Sequence, residues 1–136
     1  MNGTEFIKTC TPSGGAPEET VKLDWEFVER ATISVHFADG NTVRYTDSDL
    51  FDCLVGIRNE IEQYGLILCC NGSRRDCYPS RMSREMGGAQ RLMLLRFGEL
   101  PTIRSMVDIF ESADASQIGT PEEQRIYYQE WLTSIM

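Results

Sequence analysis

Between Asn71 and Phe97 the chain reads NGSRRDCYPSRMSREMGGAQRLMLLRF, and this stretch holds six of the thirteen Lys and Arg residues: Arg74, Arg75, Arg81, Arg84, Arg91 and Arg96. Only Asp76 and Glu85 oppose them, so the stretch carries +4 and everything else −12. Fixed guanidinium groups bind carboxylates or phosphates bidentately, which makes this island a candidate recognition site. The competing reading is that the arginines pair with the protein's own acidic helices.

Other chemistry in the same stretch is weaker. Cys77 lies close in sequence to Arg74, Arg75 and Arg81, and neighbouring cations favour a thiolate nucleophile. The one imidazole that could serve as its base is His36, at no recognisable spacing. Asn71-Gly72-Ser73 and Gly87-Gly88 are candidates to cradle a phosphate through backbone N–H groups, with Arg74 or Arg75 assisting. Neither matches GxxxxGK[ST] or GxGxxG, and a plain turn and helix stop explain both. Met82 and Met86 share one side of a short helix, as an adaptable apolar contact or as core packing. Tyr78 beside Pro79 suits either recognition or anchoring of the loop.

The totals narrow the classes. A length of 136 residues suits one domain with its own hydrophobic core. No apolar run reaches the roughly 18 residues of a membrane span, and Glu5 and Lys8 interrupt any leader-like segment. A cytoplasmic location and no membrane partner are therefore expected. Cys10, Cys53, Cys69, Cys70 and Cys77 form an odd, irregular set without CxxC pairs, which predicts buried reduced thiols, no metal site and no cofactor. A net charge of −8 argues against direct nucleic-acid binding and fits a basic protein partner, whose encounter would be steered electrostatically.

The elements that must position these residues follow from periodicity. Residues 1–20 are expected to be a flexible N-terminal segment, with a possible edge strand through Phe6 and Ile7 and a Pro/Gly/Ser-rich loop over Thr11–Thr20. The domain, residues 21–136, then begins near Val21. Leu23, Trp25 and Phe27 alternate with polar residues, as do Ile33, Val35 and Phe37, and Val43 and Tyr45; Asp39-Gly40 predicts a hairpin between the last two runs. His36 falls on the polar face. Asp47 or Ser48 caps a helix to Tyr64, with Leu50, Leu54, Ile57, Ile61 and Tyr64 inward, Asp49, Asp52, Glu60 and Gln63 outward, and Gly65 as its stop. Leu66–Cys70 reads as a central strand buried on both faces. Ser80 caps a short helix ended by Gly87-Gly88. Arg91–Phe97 and Ser105–Phe110 read as strands, and Thr120-Pro121-Glu122-Glu123 opens a final helix that points Ile126, Tyr127, Trp131, Leu132 and Ile135 to one side.

The run CNGSRRDCYPSRMSREMGG, followed by VDIFESAD and TPEEQRIYYQEWL, resembles a group of small bacterial cytoplasmic proteins associated with immunity to secreted or contact-delivered toxins. The resemblance spans residues 66–135. It implies an acidic, non-enzymatic inhibitor, active in bacterial competition, that forms a complex with one cognate toxin domain and blocks its active site. Immunity proteins have diverse folds, so the fold expectation rests on the residues alone: α+β, a mostly antiparallel sheet packed on one face by the two main helices, plus one short helix in the Arg-rich loop. The candidate partner-binding residues are Asp49, Asp52, Glu60, Arg74, Arg75, Tyr78, Arg81, Met82 and Met86. The acidic helix face should dominate against a basic, nucleic-acid-targeting toxin, and the arginine loop against an acidic site. The second expectation is a small-anion or nucleotide-binding module built on Asn71–Arg75.

Overall fold

A computed structural model of the protein describes residues 1–11 and 19–136. The fold is α+β, with a curled five-stranded antiparallel sheet, a three-stranded sheet and three α-helices. The larger sheet has the order β4-β3-β2-β1-β5. Its strands are β1 (Asn2–Cys10), β2 (Thr20–Phe27), β3 (Ala31–His36), β4 (Thr42–Asp47) and β5 (Ile67–Leu68). Period-two alternation turns Val21, Leu23 and Trp25 of β2 and Ala31, Ile33 and Val35 of β3 into one buried layer. The hairpin between β3 and β4 turns at Gly40, whose φ of 91° suits a residue without a side chain. Asp39 Oδ1 accepts the Asn41 N–H at 2.9 Å and fixes that turn. Gly3 sits opposite Trp25, where a Cβ would come within 2.7 Å of the indole nitrogen.

The sheet begins at Asn2, well before Val21. β1 pairs along seven residues with β2 and at its other edge with β5, so Asn2–Cys10 of the segment expected to be flexible is sheet. Residues 12–18, the bulk of the expected loop, lie outside the described residues. Leu66–Cys70 is also different from expectation: only Ile67 and Leu68 are strand, and they form the sheet's edge, not its centre. The run is apolar because Leu68 and Cys70 enter the core from a turning backbone, with the Cys70 N–H donating to Leu68 O at 3.0 Å.

The first helix, α1 (Leu50–Ile61), lays Leu50, Leu54 and Ile57 into the core that holds Ile33 and Val35, then tightens into a 3₁₀ turn at Glu62–Tyr64 and stops at Gly65, φ 77°. Its cap is Asp49, which accepts the Asp52 N–H at 2.8 Å, in place of Asp47 or Ser48. The second sheet, order β6-β7-β8, comprises β6 (Cys77–Tyr78), β7 (Arg91–Leu94) and β8 (Met106–Asp108). Between β6 and β7 stands α2 (Arg81–Gly87), capped by Ser80 and ended by left-handed Gly88. The last helix, α3 (Pro121–Ser134), starts with the expected capping box of Thr120 and Glu123. Its Trp131 packs with Met93 and Leu95 in a second, smaller core. Ile126 stays 42% exposed, while Gln124 is buried in its place on the inner side. Among the described residues no helix is long and apolar enough to cross a membrane.

Candidate functional site

The arginine island and the acidic helix face, which the sequence presents as two rival surfaces, meet at the junction of α1 and α2. Arg84 Nη1 lies 2.7 Å from Asp49 Oδ2 and 3.0 Å from Asp52 Oδ1. Its guanidinium also sits 5.4 Å from the Phe51 ring centroid and 5.6 Å from that of Tyr78. Burial alone would lower the Arg84 pKa, but the hydrogen bonds to Asp49 and Asp52 outweigh it and hold the cation on. Asp49 is only 4% exposed, so it serves as cap and counter-ion and offers nothing to a partner. The Leu50 N–H donates to Gly88 O at 2.8 Å, a second tie between the same two helices.

Tyr78 is part of that tie. Its ring stacks on Tyr128 at 4.1 Å and meets Phe51 edge-on at 5.1 Å, so it anchors β6 to α1 and α3. With Arg84 and Ser83 turned inward, the outer side of α2 is left to Met82 and Met86, 70% and 80% exposed. Core packing, the competing reading for both methionines, does not occur. Arg81 is exposed beside them and pairs with Glu85 at 3.1 Å on the same helix. The helix is held from below by the Ser83 hydroxyl, which donates to Arg91 O at 2.6 Å. The structure thus presents a braced helix with a two-methionine outer face.

The remaining sequence candidates lie elsewhere. Arg74 is engaged internally, with Nε and Nη2 2.8 and 2.9 Å from the two oxygens of Asp76, whose hydrogen bonds raise its pKa. Arg75 is exposed, its backbone N–H donating to Gln117 O. Glu60 is at the far end of α1 beside Tyr64, which is exposed and not inward as expected, because α1 has already given way to the 3₁₀ turn there.

The phosphate cradle expected at Asn71–Ser73 is a buried 3₁₀ turn. The N–H groups of Asn71, Gly72, Ser73 and Arg74 already donate to the carbonyls of Glu111, Ile109, Cys70 and Asn71 respectively, and Asn71 Nδ2 donates to Asp108 O at 3.0 Å. Gly72 is required by packing, because a Cβ would strike Leu54 and come within 2.8 Å of Ile109 Cγ1. Gly72→Ala is expected to cost about 1–3 kcal/mol through overpacking, read as a lower urea midpoint with an unchanged slope.

Cys77 is fully buried, and its thiol is pushed up to about 12 by burial, against the opposing pull of Arg74. That is the reverse of an activated nucleophile. His36 is half-buried on the open sheet face, 3.0 Å from Asp24 Oδ2 and 3.1 Å from Thr42 Oγ1. Hydrogen bonding from Thr4, with a smaller contribution from His36, lowers the Asp24 pKa. No group of three or more His, Cys, Asp or Glu residues suited to a metal ion occurs among the described residues.

Two buried polar residues escaped the sequence reading. Arg58 is fully buried and Gln124 is 1% exposed, and they bond to each other at 2.8 Å between α1 and α3. Their signal is positional: Arg58 comes four residues after Leu54 and directly after Ile57, on the buried side of α1. Comparison with known protein families and with curated proteins finds no match to this chain.

Proposed function

We propose that this protein is an immunity protein, a non-enzymatic cytoplasmic inhibitor that binds one cognate bacterial toxin domain and occludes its active site. The observation that carries the protein-binding part of this reading is the outer face of α2, where Met82 and Met86 stand exposed on a helix braced by Arg84, Ser83 and Gly88. Methionine packs adaptably against irregular apolar surfaces, and a preorganised helix loses little entropy on docking. The toxin part rests on the resemblance over residues 66–135. The net charge of −8 supports a basic target, reached by a salt-sensitive encounter.

On this reading the acidic and basic candidates act in sequence. Long-range attraction comes from the protein's overall negative charge, and the final contact is made by α2 with Arg81 at its rim. Asp49 and Tyr78 support that helix from behind.

The test is co-expression with the C-terminal domain of a large protein encoded beside this chain, scoring survival and recovery of a complex. Met82→Glu and Met86→Glu are each expected to weaken the complex by about 10–100-fold with little change in thermal midpoint, since both side chains are solvent-exposed. Undiminished affinity in the double variant would remove α2 from the interface. Killing that the wild-type chain does not relieve would remove the immunity role.

A further inference from the structure

At the opposite end of α1 a groove of about 570 Å³ opens between the β3–β4 hairpin and the 3₁₀ turn at Glu62–Tyr64. Its floor is apolar. Phe37, Val43 and Leu66 pack against the main core on one side while remaining only partly buried, and Tyr64 stands beside them 79% exposed. Its rim is acidic. Glu19, Asp39 and Glu60 line it, and among the described residues no Lys or Arg does. Two of these carboxylates are partly engaged, Glu19 with the Ala38 N–H at 3.0 Å and Asp39 with Asn41. Glu60 has no hydrogen-bond or ion-pair partner among the described residues.

We infer that this groove is a docking site for a cationic segment of a partner protein, one that carries Lys or Arg next to an aliphatic side chain. The chemistry of floor and rim selects that occupant. A Lys or Arg stem lies along apolar surface while its charged head reaches for carboxylates, and the neighbouring aliphatic residue covers Phe37 and Val43. The volume is within the range of clefts that hold small ligands. Nucleic acid is disfavoured because its phosphates would meet three carboxylates without a compensating cation. The inference goes beyond the α2 surface, because the groove lies at the other end of α1 and is chosen by charge complementarity. It stands whether or not the partner is a toxin.

The experiment is a ¹H–¹⁵N NMR titration of the whole chain with the blocked peptide Ala-Lys-Leu-Lys-Leu-Ala, alongside the same peptide with Glu in place of Lys. Saturable shifts concentrated at Phe37, Val43, Tyr64 and Leu66 are expected for the Lys peptide, with Kd of about 1 mM or tighter, and none for the Glu peptide. Glu60→Lys and Tyr64→Ala should each weaken binding about tenfold or more, with thermal midpoints showing that both variants remain folded. Absence of saturable shifts, shifts spread over the whole acidic surface, equal binding of the Glu peptide, or full affinity in Glu60→Lys would each overturn the proposal. None of these outcomes bears on the survival test, so failure of the groove and failure of the immunity reading are separable.

Discussion

Arg58→Met is expected to destabilise the fold by about 3–5 kcal/mol, the range for removing one partner from a buried charged network. The guanidinium is fully buried and holds together three parts of the chain. Nη1 donates to Gly72 O at 3.1 Å and to Gln124 Oε1 at 2.8 Å, Nη2 donates to Gly119 O, and Nε lies 3.3 Å from Glu62 Oε2. Gln124 then uses its own amide N–H groups on Gly72 O, Arg74 O and Cys77 O. Desolvation lowers the Arg58 pKa and raises that of Glu62, so each ion is strained by burial and kept by its partner. Replacing a buried ion pair by apolar groups on both sides is sometimes neutral, but here the acceptors include backbone carbonyls that no substitution can remove. Methionine fills the space and leaves Gly119 O and Glu62 without this donor. Lysine should not rescue, because one ammonium cannot reproduce the planar fork that reaches four acceptors in different directions. Urea unfolding of Arg58→Met and Arg58→Lys measures both effects; a loss below about 1 kcal/mol in either would show that the network is replaceable.

The same network explains why part of the molecule was hidden from a linear reading. The three hairpin-linked strands, β2 to β4, were legible because their inward residues Leu23, Ile33 and Val43 recur at period two and Gly40 marks the turn. The ends of α2 and α3 were legible because Ser80, Gly88 and Thr120 act on backbone groups within a few residues. What failed depends on distant partners. The chain at Cys70–Gly72 bonds to Ser112, Glu111 and Ile109, far away in sequence, which converts a supposed central strand into a buried turn and divides the expected single sheet into two. Arg84 illustrates the same limit at the candidate site. Its charge was plain, but that Asp49 and Asp52 would absorb it follows only from the docking of α2 on α1. With that charge internal, the exposed methionines become the better binding candidates.

Stability is expected to fall steeply above pH 9. Burial pushes the thiols of Cys53, Cys69 and Cys77 up to about 12, and it raises Cys70 as well. In the unfolded chain a cysteine ionises near about 8.5. Because the folded pKa is the higher one, the contribution of each thiol is complete below the unfolded value and is lost as pH rises through the interval toward 12. Each buried thiol should therefore remove about 1.4 kcal/mol per pH unit within that interval, and Cys53 and Cys77 alone about 3 kcal/mol for one full unit. Against a total stability of about 5–15 kcal/mol, that decides whether the protein is folded at pH 10–11. Urea midpoints from pH 7 to 10 under reducing conditions measure the slope, and Cys77→Ala should flatten it by about 1.4 kcal/mol per pH unit. All five cysteines are unpaired and buried, so a thiol reagent at pH 8 should react only after unfolding. Rapid labelling of Cys77 in the folded protein would contradict the burial on which this account rests, and would reopen the case for a nucleophile beside Arg74.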